Sequence, residues 1–223
     1  MKNLMMKVSH SKFVELLKCF AYDVTATQAA KLAGVNRNTA NRYYNEFRML
    51  IYKSHYNEDY KLENATCEID ESYFGGKRIR GKAGRGAYGK KIVFGIIARN
   101  GDVFAQVVEN CSSETLIPII QARIAPNCVI NSDMWPAYRK ISKLGYTHKT
   151  INHSANKFAH GETHTNSIEN FWGYCKQRLS KFNGLCKHNF HLYIRECEYR
   201  FNHRKKDVYK ELKKLIRTSW FSD

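Results

Sequence analysis

Three carboxylates stand out in a chain otherwise dominated by cations. Asp70 lies in Glu68-Ile69-Asp70-Glu71 at the end of one strand-like run, and Asp133 follows Val129-Ile130-Asn131-Ser132 at the end of another. Glu169 sits inside a helical stretch, with 35 residues between it and Asp133. Two neighbouring parallel strands would bring the two aspartates together, and a helix laid over them would add the glutamate. Carboxylates from such a set can hold a pair of Mg2+ ions, since hard divalent cations take oxygen ligands and leave room for phosphate oxygens. Two ions about 3.5–4 Å apart activate the attacking oxygen and stabilise the leaving one in an in-line phosphodiester displacement. On spacing alone, three unrelated surface acids explain the pattern equally well.

The elements that must position these groups are readable from periodicity. Segments around 66–71, 91–99 and 103–109 are strand-like, and Ile92, Val93, Phe94, Ile96 and Ile97 form the apolar run of a buried strand. A helical stretch from about 113 to 124 leads to a short strand at Cys128-Val129-Ile130, and helices follow near 136–144, 165–180 and 188–203. This larger part is a mixed α/β domain. Ahead of it, Phe13, Leu16, Leu17 and Phe20 mark one face of a first helix. Thr25 with Gln28 has capping-box spacing for a second helix that Gly34 ends, and Asn36 is placed to cap a third. That third helix carries Arg37, Asn38, Asn41 and Arg42, side chains able to bond base edges in a major groove. The expected organisation is therefore a helix-turn-helix domain over 1–52, a polar linker over 53–65 and the α/β domain over 66–223.

Charge and cysteine usage narrow the partners. Lys and Arg number 37 against 20 Asp and Glu, a formal charge of +17, and aromatics make up 13%. That balance points to a polyanion, double-stranded DNA before a membrane surface. Lys2, Lys7, Lys12, Glu15 and Lys18 interrupt every apolar run near the start, so this stretch reads as neither signal peptide nor spanning helix. Seven scattered cysteines with no CxxC pair argue for reduced thiols in a cytoplasm and against a zinc ribbon or disulfide framework.

Two decoys can be set aside. Gly76 to Lys82 nearly spells a P-loop, but Ala83 stands where Ser or Thr should bind Mg2+ and the stretch is too cationic for a nucleotide cradle. Lys77, Arg78, Arg80, Lys82 and Arg85 read better as a basic loop following a DNA backbone. His148, His153, His160 and His164 do not have the spacing of a zinc site.

Local wording adds more than spacing. The stretches Cys67 to Lys77 (CEIDESYFGGK), Asn131 to Tyr138 (NSDMWPAY), His164 to Trp172 (HTNSIENFW) and Tyr199 to Arg204 (YRFNHR) resemble the catalytic segments of the insertion-sequence 1595 family of transposases. Four segments in order, over roughly residues 66 to 204, make the resemblance specific. It implies a ribonuclease-H-like fold and a DDE active site of Asp70, Asp133 and Glu169 as metal ligands. It also implies dependence on Mg2+, with Mn2+ as a substitute, and mobilisation of the encoding DNA element. Some relatives carry an N-terminal zinc ribbon that this chain lacks, which leaves end recognition to the helix-turn-helix or the catalytic domain. The third ligand varies in identity in such families, and Asn166 lies one turn before Glu169 on the same helix face. Lys176, two turns beyond Glu169, is placed to hold a phosphate. A homodimer or larger synaptic assembly is expected because an element has two ends. Three other readings stay open on sequence grounds: a non-enzymatic helix-turn-helix regulator, a ribonuclease-H-like nuclease that cuts without joining, and an inactive relic.

Overall fold

The computed structural model describes residues 7–54, 61–75, 90–99, 101–151, 165–182 and 187–220. The chain divides into two compact units, Met1–Tyr56 with Asn202–Asp223, and Asn57–Phe201.

Among the described residues the smaller unit contains helices and no strand. α1 (His10–Ala21) starts at Ser9, whose side chain accepts from the Lys12 N–H, and buries Phe13, Leu16, Leu17 and Phe20. α2 (Ala26–Leu32) is capped by Thr25, which accepts from the Gln28 N–H at 3.4 Å, and the chain leaves it through Gly34 at φ +59°, a left-handed conformation that favours glycine. Asn36 Oδ1 then accepts from the Asn38 N–H at 2.8 Å and opens α3 (Arg37–Ser54). Phe13, Phe20, Tyr43, Tyr44 and Phe47 pack ring against ring, several edge to face with centroids 5.0 to 6.0 Å apart, the geometry that ring quadrupoles favour. A C-terminal helix, α7 (Val208–Trp220), packs against α1 and α3 through buried Leu212 and Ile216. The sequence boundaries put residues 202–223 with the α/β domain; the packing groups them with this unit instead. α7 is an addition to the expected elements, although Val208, Leu212, Leu215 and Ile216 stand at i, i+4, i+7 and i+8, the spacing of an amphipathic helix.

The larger unit is a five-stranded mixed sheet in the order β3-β2-β1-β4-β5. β1 (Thr66–Phe74), β2 (Lys91–Ala98) and β3 (Val103–Val108) form an antiparallel meander. β4 (Val129–Asp133) then returns parallel to β1, and β5 (Thr147–Ile151) lies parallel to β4. β5 is an addition to the expected strands: Thr147-His148-Lys149-Thr150 has no buried residue and no apolar alternation to signal an edge strand. Side chains alternate across β1. Cys67 and Ile69 join a core with Leu116 and Ile120 of α4 (Ser113–Arg123) and with Tyr138 and Ile141 of the 3-10 helix Pro136–Leu144. Phe74 joins the opposite core, with Val93, Ile97, Phe171, Trp172 and Cys175. That second core is closed by α5 (Asn166–Ser180) and α6 (Phe190–Asn202). Three antiparallel strands followed by two parallel ones, with helices on both faces, make a ribonuclease-H-like sheet, as expected; the all-α helices at the N-terminus are also as expected. Part of the supposed linker is structured, since Leu62 exchanges backbone hydrogen bonds of 2.8 and 2.9 Å with Arg123 and Ala125 at the end of α4.

Candidate active site

The strand ladder fixes two of the three acids. β1 and β4 pair in parallel with Glu68 opposite Asn131 as the last rung, and Asp70 and Asp133 each lie two residues beyond it. They therefore stand at one level on adjacent strands, on the same face by the period of two. Asp70 falls inside β1 rather than at its end, because β1 continues to Phe74 as the partner of β2. Asp133 closes β4, and its Oδ1 accepts from the Trp135 N–H at 2.9 Å, an Asx turn that swings the chain into the 3-10 helix.

Glu169 reaches the same region from α5. Its charge and that of Asp133 both bear on Asp70, whose carboxyl is pushed up to about 6 from an ordinary 3.8. Burial is the main cause; the hydrogen bonds that Asp70 accepts from the backbone at Glu71 and from Trp172 partly offset it. Among the described residues no Lys or Arg forms a salt bridge with Asp70, Asp133 or Glu169. Three acids with no salt bridge to a cation among the described residues, two of them acting on the charge of the third, are an all-oxygen donor set suited to a hard divalent ion. Among the same residues no three His, Cys, Asp or Glu side chains are gathered closely enough, as they stand, to hold a metal. Glu169 is exposed and tied back, its Oε1 accepting from the Thr165 hydroxyl at 3.1 Å.

Three residues to which the sequence assigned no role hold this arrangement together. Glu68, fully buried on β1, accepts from the N–H groups of Ser167 and Ile168 at 2.9 and 3.1 Å and from the Ser167 hydroxyl at 3.1 Å. Those are the second and third residues of α5, the donors that an N-cap side chain ordinarily satisfies. Thr165, in the N-cap position, makes no such bond. A strand carboxylate thus caps, from 99 residues away, the helix that bears Glu169, and Arg99 stands 3.6 Å from it. Trp172, one turn beyond Ile168, donates its indole N–H to Asp70 Oδ2 at 3.0 Å. The ring can lie there only because Gly95 is the Cα partner of Asp70 on β2: a Cβ at Gly95 would come within 2.6 Å of the indole and 2.9 Å of Ile168. A glycine inside an apolar strand signals close approach, and an acid two residues before Asp70 shares its face; both signals are present in the sequence.

The opposite face of β1 adds a buttress. The buried Tyr138 hydroxyl donates to Glu71, and burial, then the charges of Glu71, Asp70 and Asp133, push that phenol well above its usual range. His148 of β5 pairs with Ser132 Oγ at 2.8 Å, and burial lowers its pKa. Behind the site, Arg178 of α5 pairs with Glu196 of α6, which Arg200 also holds at 2.9 Å; all three are buried.

The remaining predicted residues are distributed as follows. Lys176 is exposed on α5, on the side that carries Glu169, and Asn166 is exposed at that helix's first turn. Arg37, Asn38 and Asn41 lie along the start of α3 in the smaller unit and are exposed; Arg42 is half-buried, its guanidinium 5.8 Å from the Tyr43 ring centre. Lys77, Arg78, Arg80, Lys82 and Arg85 lie outside the described residues, as do His153, His160 and His164. The six described cysteines are free thiols, five of them buried. No helix among the described residues is long and apolar enough to cross a membrane.

Residues 61–202 match the ISXO2-like transposase domain that defines the insertion-sequence 1595 family. Over 118 residues, 52% of this chain and 95% of the relative, the sequence is 39% identical to an uncharacterized transposase-like protein of Haemophilus influenzae (strain Rd). Among solved structures, the chain is similar to the catalytic core domain of BIV integrase, with a TM-score of 0.43 and 17% identity over 70% of this chain and 98% of that one. It is also similar to a pre-cleavage Mos1 transpososome, with a TM-score of 0.28 and 12% identity over 92% of this chain and 78% of that one.

Proposed function

The chain belongs to the insertion-sequence 1595 family of transposases, and on that footing we propose that it cuts DNA at the ends of the element encoding it and joins the freed ends to target DNA. The observation that carries the reading is the register that sets Asp70 and Asp133 at one level on adjacent strands, beneath the helix α5 that carries Glu169. Burial first, and the charges of Asp133 and Glu169 after it, push the Asp70 carboxyl up to about 6. In a protein with 37 Lys and Arg, cations are abundant, yet none among the described residues forms a salt bridge with these acids.

Asp70, Asp133 and Glu169 are the ligands of this reading, and bound Mg2+ or Mn2+ would supply activation of the attacking oxygen and stabilisation of the leaving one. The protein's own groups supply position. Trp172 fixes the rotamer of Asp70 through Oδ2. Glu68 fixes the start of α5 and hence Glu169, and Thr165 holds one Glu169 oxygen. Lys176, two turns along α5, holds a phosphate of the bound strand. Water first attacks the phosphorus at the element's end, breaking its bond to the 3′ oxygen of the terminal nucleotide. The resulting 3′-hydroxyl then attacks a target phosphodiester, releasing a target 3′-hydroxyl, with no covalent protein intermediate. Arg37, Asn38, Asn41 and Arg42 read the element's ends as the second half of a helix-turn-helix, and two copies of the chain bridge the two ends.

The test is a supercoiled plasmid carrying the gene's own flanks, incubated with the protein with and without Mg2+, beside Asp133→Asn. Nicks at the flank boundaries that require the metal and vanish in the variant, followed by joined products, are expected. Duplex binding without cleavage under any divalent ion would sink the enzymatic reading and leave a DNA-binding regulator or a relic.

A further inference from the structure

The C-terminal helix carries a charge pattern that the catalytic reading does not use. α7 turns Leu212 and Ile216 into the helical unit. At about 100° per residue, Lys210, Lys213, Lys214 and Arg217 fall within roughly one quarter of the helix circumference, on the side away from Leu212 and Ile216, and all four are exposed. No acid lies within that arc. Glu211 stands beside it and pairs with Lys214 at 2.8 Å, while Asp207 lies 3.9 Å from Lys210; among the described residues Lys213 and Arg217 have no acidic partner. Arg204, Lys205 and Lys206, also exposed, lead into the helix. The row from Lys210 through Lys213 to Arg217 runs for about 10 Å of helix, against a phosphate every 3.4 Å of axis per DNA strand.

A soluble surface ordinarily intersperses both signs, because a single-sign field repels itself. The stripe therefore calls for a polyanion, and its place on the same compact unit as α3 says which one. We propose that the exposed face of α7 is a second DNA-binding surface of the helical unit, gripping backbone phosphates without regard to sequence while α3 reads bases. The proposal rests on the reading of the protein as a DNA-processing transposase. It makes the two ends of the chain one binding module, with the catalytic unit inserted between them in sequence.

The experiment replaces Lys210, Lys213, Lys214 and Arg217 together with Gln, leaving Leu212 and Ile216 untouched. Binding is followed by fluorescence anisotropy over a range of NaCl concentrations, in EDTA, on a flank duplex and on an unrelated duplex. A comparator, Lys18→Gln with Lys31→Gln, removes exposed charge from α1 and α2. Each phosphate that the variant no longer neutralises should lower the slope of log affinity against log salt by about 0.9. The stripe variant should therefore drop by about two to three in slope on both duplexes and keep the ratio between them, whereas the comparator should keep essentially the wild-type slope. A folded stripe variant that keeps the wild-type slope, or a comparator that drops as much per charge, overturns the proposal. Loss of self-association with unchanged duplex binding also overturns it and gives the face to a second copy of the chain. If the fourfold variant unfolds, Arg217→Glu alone is read in the same way. Because no metal is present, these outcomes are independent of whether the plasmid is cleaved.

Discussion

Glu68 is the residue on which the geometry places the heaviest demand, and its removal should separate stability from catalysis. The fully buried carboxylate receives three hydrogen bonds, two of them from backbone N–H groups in the first turn of α5. Hydrogen bonds to a charged group contribute about 1.5–3 kcal/mol each when lost singly, an N-cap about 0.5–2, and breaking a buried charge pair costs about 3–5. The contributions overlap, so Glu68→Ala should cost about 3–5 kcal/mol, a large share of the roughly 5–15 kcal/mol typical of a folded protein. Glu68→Gln keeps one oxygen to accept from the Ser167 and Ile168 N–H groups but loses the charge and turns the second acceptor, which faces the Ser167 hydroxyl and Arg99, into an amide donor; this should cost about 1–3 kcal/mol and lower Tm by several degrees. The informative readout is plasmid nicking by the folded Gln variant as Mg2+ is titrated. A weakened cap lets the start of α5 drift and with it Glu169, so the variant should need several-fold more Mg2+ and reach a lower maximal rate. Wild-type nicking at wild-type Mg2+ demand, or an Ala variant costing less than about 1 kcal/mol, would show that Glu68 does not hold α5.

Two further predictions concern Asp70 and the surface it faces. Gly95→Ala puts a methyl group within 2.6 Å of the Trp172 ring; overpacking of this kind costs about 1–3 kcal/mol. The indole should back away from Asp70, which a shift in tryptophan emission and a fall in nicking together would register; an unchanged spectrum with full activity would refute the close-approach argument. Asp70, with its carboxyl near 6 in the folded protein against an ordinary 3.8, contributes stability that is complete below about pH 4 and lost as pH rises through about 6. In EDTA, Asp70→Asn, which still accepts from Trp172, should therefore be more stable than wild type at about pH 7.5 by up to about 3 kcal/mol. The difference should vanish near pH 4, roughly the unfolded-state value, and shrink when Mg2+ is added to wild type. Equal urea midpoints for the two proteins at both pH values would contradict the assignment.

Legibility in the sequence follows the strength of the local signal. The three N-terminal helices carry caps and breakers at matched spacing, Thr25, Gly34 and Asn36, and each performs its predicted bond or turn. β2 is visible because its residues are buried on both faces. β5 is not, because an edge strand of Thr, His and Lys buries none of its residues and shows no apolar alternation, whereas α7 carries a helical spacing of apolar residues whose packing partners, α1 and α3, lie far away in sequence. The carboxylates stand out as residue types, and the register explains their approach. Glu68 and Gly95 escape for a different reason: their roles are long-range, and nothing in the residues flanking Glu68 tells that its partners are the N–H groups of residues 167 and 168.

The alternation of β1 connects these observations. Glu68 and Asp70 share the face that α5 covers, whereas Ile69 and Glu71 share the other, where Ile69 enters the core and Glu71 meets Tyr138. One strand therefore supplies a candidate ligand, the anchor of the helix bearing another, and a buttress from behind. A one-residue slip of β1 would exchange the two faces entirely, putting Ile69 under the helix terminus and burying Asp70 against α4. The antiparallel pairing with β2 over eight residues protects against that slip more than the three-rung ladder with β4 does. The long hairpin side of the sheet thus fixes the register, and the short parallel side, freed of that task, can end at Asp133 and leave its carboxylate open to the site.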